Sequence, residues 1–201
     1  MADLKQMQDI ATQVRRDIIR MVHGCQSGHP GGSLGCADFM TALYFDAMEL
    51  DVENFTRSGK GEDMFFLSNG HISPVWYSVL SRRGYFPVSE LATFRRLGTR
   101  LQGHPSVHDN LPGVRQASGS LGQGISAAVG MALAAKMNGA DFRTYTLLGD
   151  GELEEGQVWE AAMFAGHRKL DNLCVIVDNN GLQIDGPIDQ VCSPYPIDKK
   201  F

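Results

Sequence analysis

The sequence lacks the features that mark several large classes of protein. Its four cysteines, Cys25, Cys36, Cys174 and Cys192, form no Cys-x-x-Cys pair, which argues against zinc and redox-pair sites and favours reduced thiols. It has no run of 18 apolar residues and no apolar segment near Met1, so neither a membrane span nor a secretory signal is expected. No basic stripe accompanies the net charge of −5. We therefore expect a cytoplasmic protein that binds neither membranes nor nucleic acids.

The composition provides enough apolar material for one globular domain. Hydrophobic residues make up 43% and charged residues 20% of the 201 residues, as is typical of soluble domains. A chain of this length buries roughly 70% of its unfolded surface, so we expect a single domain over residues 1–201. Glycine is in excess, with 23 residues, whereas an average share of about 7% would give roughly 14. This excess predicts tight turns at which the main chain approaches a ligand.

Hydrophobic spacing predicts mainly helices before residue 140. Apolar residues recur at helical spacing between Leu4 and Val22, and Gly24 follows them. The predicted elements are a helix over 3–24, a second helix capped by Ser33 that runs through Leu43 and Tyr44, a buried strand over 64–67, helices over 73–82, 89–97 and 121–137, and a long functional loop over 98–120. Small residues dominate the helix over 121–137, so we expect it to approach another backbone closely.

The last third of the chain predicts a strand–helix–strand unit. Apolar runs at 144–148 and 173–177 predict two strands, and residues 155–166 predict the helix between them. A connection of this length is typical of two parallel strands that are joined by a right-handed crossover. The fold class is therefore predicted to be α/β, with a parallel sheet flanked by helices.

Oxygen-bearing side chains follow both of these strands. Asp150 and Asn180 each lie just after a predicted strand, at the edge of the sheet where open α/β folds bind ligands. Their oxygens, with a carbonyl such as that of Leu182, suit Mg²⁺ bridging protein and diphosphate. Gly149 and Gly151 would let the main chain reach the phosphates. Taken alone, an Asp-Gly pair after a strand is most often a simple turn, and only the joint spacing favours the metal site.

Histidines form a second group of candidates. Four of the six, His29, His71, His104 and His167, directly follow a glycine, which frees the backbone to present the ring to a ligand. A neutral imidazole both donates and accepts hydrogen bonds, which suits sugar hydroxyls and proton relay. Each histidine taken singly is also compatible with an ordinary loop residue. His167 ends a predicted helix, where a cation favours the helix dipole, and is interpreted as structural.

Six ordered motifs carry a resemblance to a known family. They are Ser27-Gly28-His29-Pro30-Gly31 with Ser33-Leu34-Gly35, Ser68-Asn69-Gly70-His71, Gly103-His104-Pro105, Leu111-Pro112-Gly113, Gly119-Ser120-Leu121-Gly122-Gln123-Gly124, and Gly149-Asp150-Gly151 followed by Asn180. In this order, and nearly end to end, they resemble the N-terminal part of transketolases. The last motif is similar to the thiamine-diphosphate fingerprint of that family.

The resemblance implies a fold, a cofactor and a set of site residues. The fold would be the diphosphate-binding (PP-type) domain. It would be incomplete at its C-terminal end, because the resemblance implies further elements of that domain beyond Phe201. Thiamine diphosphate and Mg²⁺, or Ca²⁺ or Mn²⁺ in its place, would be the cofactors. The implied metal ligands are Asp150, Asn180 and the carbonyl of Leu182. The implied cofactor-binding residues are His71, Gly119, Ser120, Leu121, Gly151, Asn180 and Ile184.

The resemblance also implies catalytic residues and a partner. His29 and His104 would face a sugar phosphate and help to move protons during ketol transfer in the pentose phosphate pathway. Arg95 would meet the substrate phosphate, or else be a solvated helix charge, and Glu155 and Glu160 would lie at a subunit interface. The pyrimidine-binding domain of the family would come from a C-terminal transketolase subunit, in a heterotetramer with two copies of each.

Three hypotheses of function remain open at this point. The first is the N-terminal subunit of a split transketolase, which is active only with its partner. The second is another thiamine-diphosphate enzyme, such as 1-deoxyxylulose-phosphate synthase or a 2-oxo acid dehydrogenase. The third is a non-catalytic cofactor-binding or assembly subunit.

Overall fold

A computed structural model describes residues 3–59 and 61–201. Its internal contacts divide the chain into two compact units, each described here by itself. The described residues of Met1–Asp63, with Gly70–Gly119, form the first unit. The second unit consists of Met64–Asn69 and Ser120–Phe201.

The first unit is helical. Its elements are α1 (Leu4–Cys25), α2 (Pro30–Gly35), α3 (Ala37–Ala42), a π-helical turn (Leu43–Ala47), a 3-10 turn (Gly70–Ile72), α4 (Ser73–Arg83) and a second 3-10 segment (Val88–Thr93). The side chain of Asp3 caps α1 by accepting from the Lys5 N–H at 3.3 Å. The apolar stripe of α1 is buried from Ala11 to Met21, including Val14 and Ile18, whereas Leu4 at its start is exposed.

Two predicted helices of this unit need correction. Ser33 does not cap the second helix: it lies buried inside α2, and its hydroxyl donates to the His29 carbonyl at 2.9 Å. The helix begins earlier because Pro30, which needs no N–H partner, occupies its first turn. The segment predicted as a helix over 89–97 forms only the short 3-10 segment Val88–Thr93. The predicted loop over 98–120 contains neither helix nor strand.

The second unit contains a parallel sheet, which confirms the predicted α/β class. Strands β1 (Met64–Leu67), β2 (Thr144–Gly149) and β3 (Leu173–Asp178) lie in the order β1–β2–β3, and all pair in parallel. The other elements are α5 (Gln123–Asn138), a 3-10 segment (Gly151–Glu154), α6 (Gly156–His167), a small hairpin of β4 (Leu182–Gln183) and β5 (Gly186–Pro187), and α7 (Ile188–Val191).

The helices of this unit pack closely on the sheet. A buried apolar cluster that includes Ile125, Leu148 and Val158 joins α5, α6 and β2. Gly124 explains the predicted close approach of α5, because a Cβ there would lie 2.5 Å from the Ser68 Cα. The helix begins at Gln123 rather than 121, after Gly122 in a left-handed conformation (φ 78°). Among the described residues, no helix is both long enough and apolar enough to cross a membrane.

Candidate functional site

Histidine side chains meet in the first unit. The rings of His29 and His71 stack edge-on, with centroids 5.0 Å apart and planes at 65°. His104 lies beside the Gly119 main chain, where a Cβ built on the glycine would be 3.5 Å from the His104 side chain. The structure therefore gathers three of the four glycine-preceded histidines in this unit.

Packing explains the glycine that precedes two of these histidines. A Cβ at Gly70 would lie 2.8 Å from the Ser118 carbonyl carbon and 2.9 Å from the Gly119 nitrogen. A Cβ at Gly103 would lie 2.7 Å from the guanidinium carbon of Arg95. By contrast, Gly166, which precedes His167 inside α6, has no atom within 4 Å of its Cβ position. This difference agrees with a structural interpretation of His167.

Arg95 connects the loops that carry His29 and His104. Its Nη1 donates to the Ser27 hydroxyl at 3.0 Å, and its guanidinium packs on Gly103. The Arg95 backbone is left-handed (φ 57°), and its N–H donates to the Leu101 carbonyl at 2.8 Å. Its buried Nε has no hydrogen-bond partner among the described residues. Arg95 is thus held in place rather than extended into solvent as a helix charge.

The environment keeps two of the histidines neutral. Burial is the main cause that lowers the pKa of His29, and the charge of Arg95 adds to it. The pKa of His104 is also lowered, first by burial, then by Arg95 and by His29. Neutral imidazoles remain free to accept as well as donate protons, as sugar hydroxyls require.

Replacing Arg95 with methionine is expected to raise the pKa of both His29 and His104. The neutral side chain removes the positive charge that disfavours protonation, whereas Arg95→Lys keeps it. Following the imidazole C–H resonances by NMR from acid to alkaline pH measures both titrations. The matched control is Arg96→Met on the exposed neighbour. Equal histidine titrations in the Arg95→Met and wild-type chains would contradict the coupling.

The same pKa shifts predict how stability depends on pH. A histidine whose folded pKa lies below its ordinary 6.5 binds protons more readily in the unfolded chain. The contribution of His29 and His104 to the free energy of unfolding is therefore fully present above their ordinary pKa. It is lost as the pH falls through the lower pKa values that the two histidines have in the folded chain. Arg95→Met should reduce this loss of stability at acid pH. Urea denaturation at several pH values measures the free energy of unfolding and tests this prediction.

The second unit brings the Asp150 and Asn180 turns together. The Asp150 side chain is 1% exposed, and its two oxygens accept from the main-chain N–H groups of Gly151 (3.0 Å) and Gly181 (2.7 Å). Its own N–H donates to the Asp178 carbonyl at 3.1 Å. The carboxylate therefore joins the end of β2 to the turn that follows β3.

The Asn180 turn presents further oxygen atoms. The Asn180 Oδ1 accepts from the Leu182 N–H at 2.9 Å, and its Nδ2 donates to Asp178 Oδ2 at 3.1 Å. The Leu182 carbonyl oxygen lies 3.7 Å from the position of a Cβ on Gly151. Asn180 and Leu182 are exposed, while Asp150 is buried beneath them in the same unit.

This set of donors fits a hard divalent cation and a diphosphate. It offers one carboxylate, one amide oxygen and one main-chain carbonyl, the oxygen ligands that Mg²⁺ and Ca²⁺ prefer. Each Asp150 oxygen accepts one N–H and keeps a second lone pair for a metal. A Cβ at Gly151 would lie 3.3 Å from the Gln183 Cγ, so any larger residue here would require the Gln183 side chain to shift.

The remaining predicted residues lie at the surface of the second unit. Ile184 is 94% exposed, Ser120 is exposed and Leu121 is half-buried. Glu155 precedes α6 and Glu160 lies within it, and both are exposed. Such exposure leaves these side chains free to contact a cofactor or another protein chain.

Glu152 is a buried polar residue that the sequence interpretation missed. It is 2% exposed and accepts hydrogen bonds from the Ser68 hydroxyl and from the N–H groups of Gly122 and Gly149. Burial raises the pKa of its carboxyl, against the opposing effect of those bonds. The main-chain N–H of Gly149 is therefore already paired, with the Glu152 carboxyl group. No local pattern signals this role, since one partner lies 84 residues away.

The family comparison decides the classification of the chain. The family described as transketolase, thiamine diphosphate binding domain, matches residues 6–200. The chain belongs to the transketolase family. The resemblance seen in the sequence motifs is thereby confirmed, together with a thiamine-diphosphate-binding type of domain.

Individual transketolase relatives differ in length. The chain is 42% identical to SqwG, a subunit of the 6-deoxy-6-sulfo-D-fructose transketolase of Clostridium sp. (strain MSTE9), over 97% of this chain and 70% of that protein. It is 41% identical to one subunit of the apulose-4-phosphate transketolase of Phocaeicola vulgatus, over 89% of this chain and 62% of that protein. The transketolase of Mus musculus is 40% identical, over 92% of this chain but 29% of the mouse protein.

Solved transketolase structures share the fold. The transketolase of Campylobacter jejuni superposes with a TM-score of 0.91 at 33% identity, over 100% of this chain and 32% of that chain. The Leishmania mexicana enzyme superposes with a TM-score of 0.88 at 35% identity, over 100% of this chain and 31% of that chain. The chain therefore spans about a third of these transketolases and between 62% and 70% of the two shorter relatives.

Proposed function

We propose that the chain is the N-terminal subunit of a split transketolase. It transfers a two-carbon ketol unit from a ketose phosphate to an aldose phosphate, with thiamine diphosphate as cofactor. The observation that carries this is the buried Asp150 carboxylate joined to the Asn180–Leu182 turn, in a transketolase-family chain. Relatives named as transketolase subunits support the split arrangement. Residues 1–201 would then constitute the thiamine diphosphate- and Mg²⁺-binding N-terminal domain.

The residues of the second unit would hold the cofactor. Asp150, Asn180 and the Leu182 carbonyl would bind Mg²⁺, and Gly151 with Asn180 would contact the diphosphate. When bound, thiamine diphosphate supplies an electron sink for cleaving and forming the carbon–carbon bond. Further contacts to the cofactor are proposed for Ser120, Leu121 and Ile184 of the same unit. For His71 and Gly119, which belong to the first unit, a cofactor contact is proposed from the family resemblance alone.

His29 and His104 would bind the sugar and move its protons. Their lowered pKa values keep both rings neutral near pH 7, so each offers one donor and one acceptor nitrogen. Arg95 uses one nitrogen on Ser27 and retains others in its fork of five donors, which suits a substrate phosphate.

The partner would be a C-terminal transketolase subunit that carries the pyrimidine-binding domain. Two copies of each chain would form a heterotetramer, with the exposed Glu155 and Glu160 at an interface between them. We also propose a cytoplasmic location and a place in pentose phosphate metabolism. The two shorter relatives are named for different sugars, 6-deoxy-6-sulfo-D-fructose and apulose 4-phosphate, so a test of this chain must compare several donor sugars.

Reconstitution tests this proposal. The chain alone should show no ketol transfer, and adding the partner subunit, Mg²⁺ and thiamine diphosphate should restore it. Donors to compare are pentose and hexose ketose phosphates, 6-deoxy-6-sulfo-D-fructose, apulose 4-phosphate and pyruvate. Full ketol transfer by the isolated chain would contradict the split arrangement. Turnover of pyruvate without ketol transfer would favour a 1-deoxyxylulose-phosphate synthase-like or 2-oxo acid dehydrogenase activity instead.

A further inference from the structure

The Glu152 carboxylate lies at a junction of three segments in the second unit. Its Oε1 accepts from the Ser68 hydroxyl at 2.5 Å and from the Gly122 N–H at 2.7 Å. Its Oε2 accepts from the Gly149 N–H at 3.2 Å. A single buried side chain thus holds the end of β1, the start of α5 and the end of β2.

Two of these segments carry residues assigned above to the cofactor. Gly122 directly follows Ser120 and Leu121, and Gly149 directly precedes Asp150. The two N–H groups sit where a helix starts and a strand ends, so neither has a partner within its own element. Fixing these donors fixes the path of the chain through the adjoining cofactor-binding residues.

The two oxygens of the Glu152 carboxyl group together accept from all three donors. An ionised carboxylate has two oxygens and no hydrogen, so each oxygen accepts freely. A glutamine has one oxygen, and its amide nitrogen would face the N–H of either Gly122 or Gly149. An aspartate is one methylene shorter and cannot reach both sides. Replacing Glu152 with glutamine or aspartate would therefore leave at least one of the three donors without its acceptor.

We propose that Glu152 is a positioning residue that sets the Ser120–Gly122 and Gly149–Gly151 turns in the geometry that binds the diphosphate and its metal. This inference rests on the proposed cofactor site. Glu152 would act through these two turns and would not itself contact the cofactor or the metal.

The test compares Glu152→Gln with wild type in the 201-residue chain reconstituted with its partner subunit. Thiamine diphosphate affinity in the presence of Mg²⁺, measured by calorimetry, should fall by about 10- to 100-fold, as when an outer partner of a metal ligand is removed. Amide hydrogen exchange at Gly122 or Gly149 should accelerate by at least about 10-fold, while the other amides of β2 and those of β3 keep their protection. Ser68→Ala leaves both main-chain donors paired and should weaken binding much less.

Asp17→Asn provides a matched control for loss of stability. Asp17 is a similarly buried carboxylate, 3% exposed, that accepts from Ser78 (2.9 Å) and pairs with Arg82 (2.6 Å) in the first unit. The Asp17→Asn substitution should lower the unfolding midpoint. It should change neither the amide hydrogen exchange of Gly122 and Gly149 nor the affinity for thiamine diphosphate.

The outcomes separate the inference from the proposed function. A wild-type chain that binds no thiamine diphosphate with Mg²⁺ even in complex with the partner subunit contradicts the proposed function, and the role of Glu152 falls with it. A wild-type chain that binds, with Glu152→Gln binding equally well or keeping its exchange protection, overturns the positioning role alone. Equal losses of affinity in Glu152→Gln and Asp17→Asn would also overturn it, since destabilisation alone would then explain the result.

Discussion

Asp150→Asn is expected to abolish metal-dependent cofactor binding, with ketol transfer by the reconstituted enzyme falling at least about 10³-fold, or roughly 4 kcal/mol. Asp150 supplies the one negative charge in the proposed metal ligand set, and a neutral amide cannot replace it. The substitution also turns an acceptor into a donor. One of the two N–H groups that now face the carboxylate, from Gly151 or Gly181, would lose its partner. A buried N–H without a partner costs about 1–3 kcal/mol.

Two measurements separate the loss of metal from the loss of fold. Titrating Mg²⁺ against thiamine diphosphate binding reports the metal, and urea denaturation reports stability. The matched control is Asp189→Asn in the short helix α7, where the aspartate is exposed. Unchanged activity of the reconstituted Asp150→Asn enzyme would contradict a metal role and support a non-catalytic assembly role for the chain.

The sequence predicts well those elements of the fold that depend on residues close together in the chain. The apolar stripe and Gly24 place α1 within one residue of its observed ends, Leu4 and Cys25. The strand–helix–strand unit is predicted because strand length, helix period and connection length agree locally. That unit alone brings Asp150 to the turn of Asn180, since the ends of adjacent parallel strands share a sheet edge. Hence the candidate metal site could be inferred before the structure was known.

Local pattern fails where two signals compete or where partners are distant. Ser33 has the chemistry of a helix cap, but Pro30 begins the helix earlier and leaves Ser33 in its interior. The link from Arg95 to Ser27 spans 68 positions, and that from Glu152 to Ser68 spans 84. No periodicity records such pairings. They arise only when the tertiary fold brings the segments together, which is why Glu152 escapes prediction.

Gly70→Ala is expected to destabilise the chain by about 1–3 kcal/mol and to impair ketol transfer. The added methyl would lie 2.8–2.9 Å from main-chain atoms of Ser118 and Gly119, which cannot turn aside as a flexible side chain can. Relief of that contact must move either the 3-10 turn that carries His71 or the Gly119 loop beside His104. Both movements would disturb groups assigned here to the cofactor and the sugar.

Gly166→Ala is the matched comparison, because Gly166 also directly precedes a histidine, His167, but this histidine is interpreted as structural. Gly166 lies inside α6 with nothing within 4 Å of its Cβ position, and alanine is the better helix former by about 1 kcal/mol. Urea denaturation should therefore show a gain in stability for Gly166→Ala and a loss for Gly70→Ala. A gain in stability for Gly70→Ala as well would show that Gly70 is not fixed by its contact with the Ser118–Gly119 main chain. The structural distinction between His71 and His167 would then have to be abandoned.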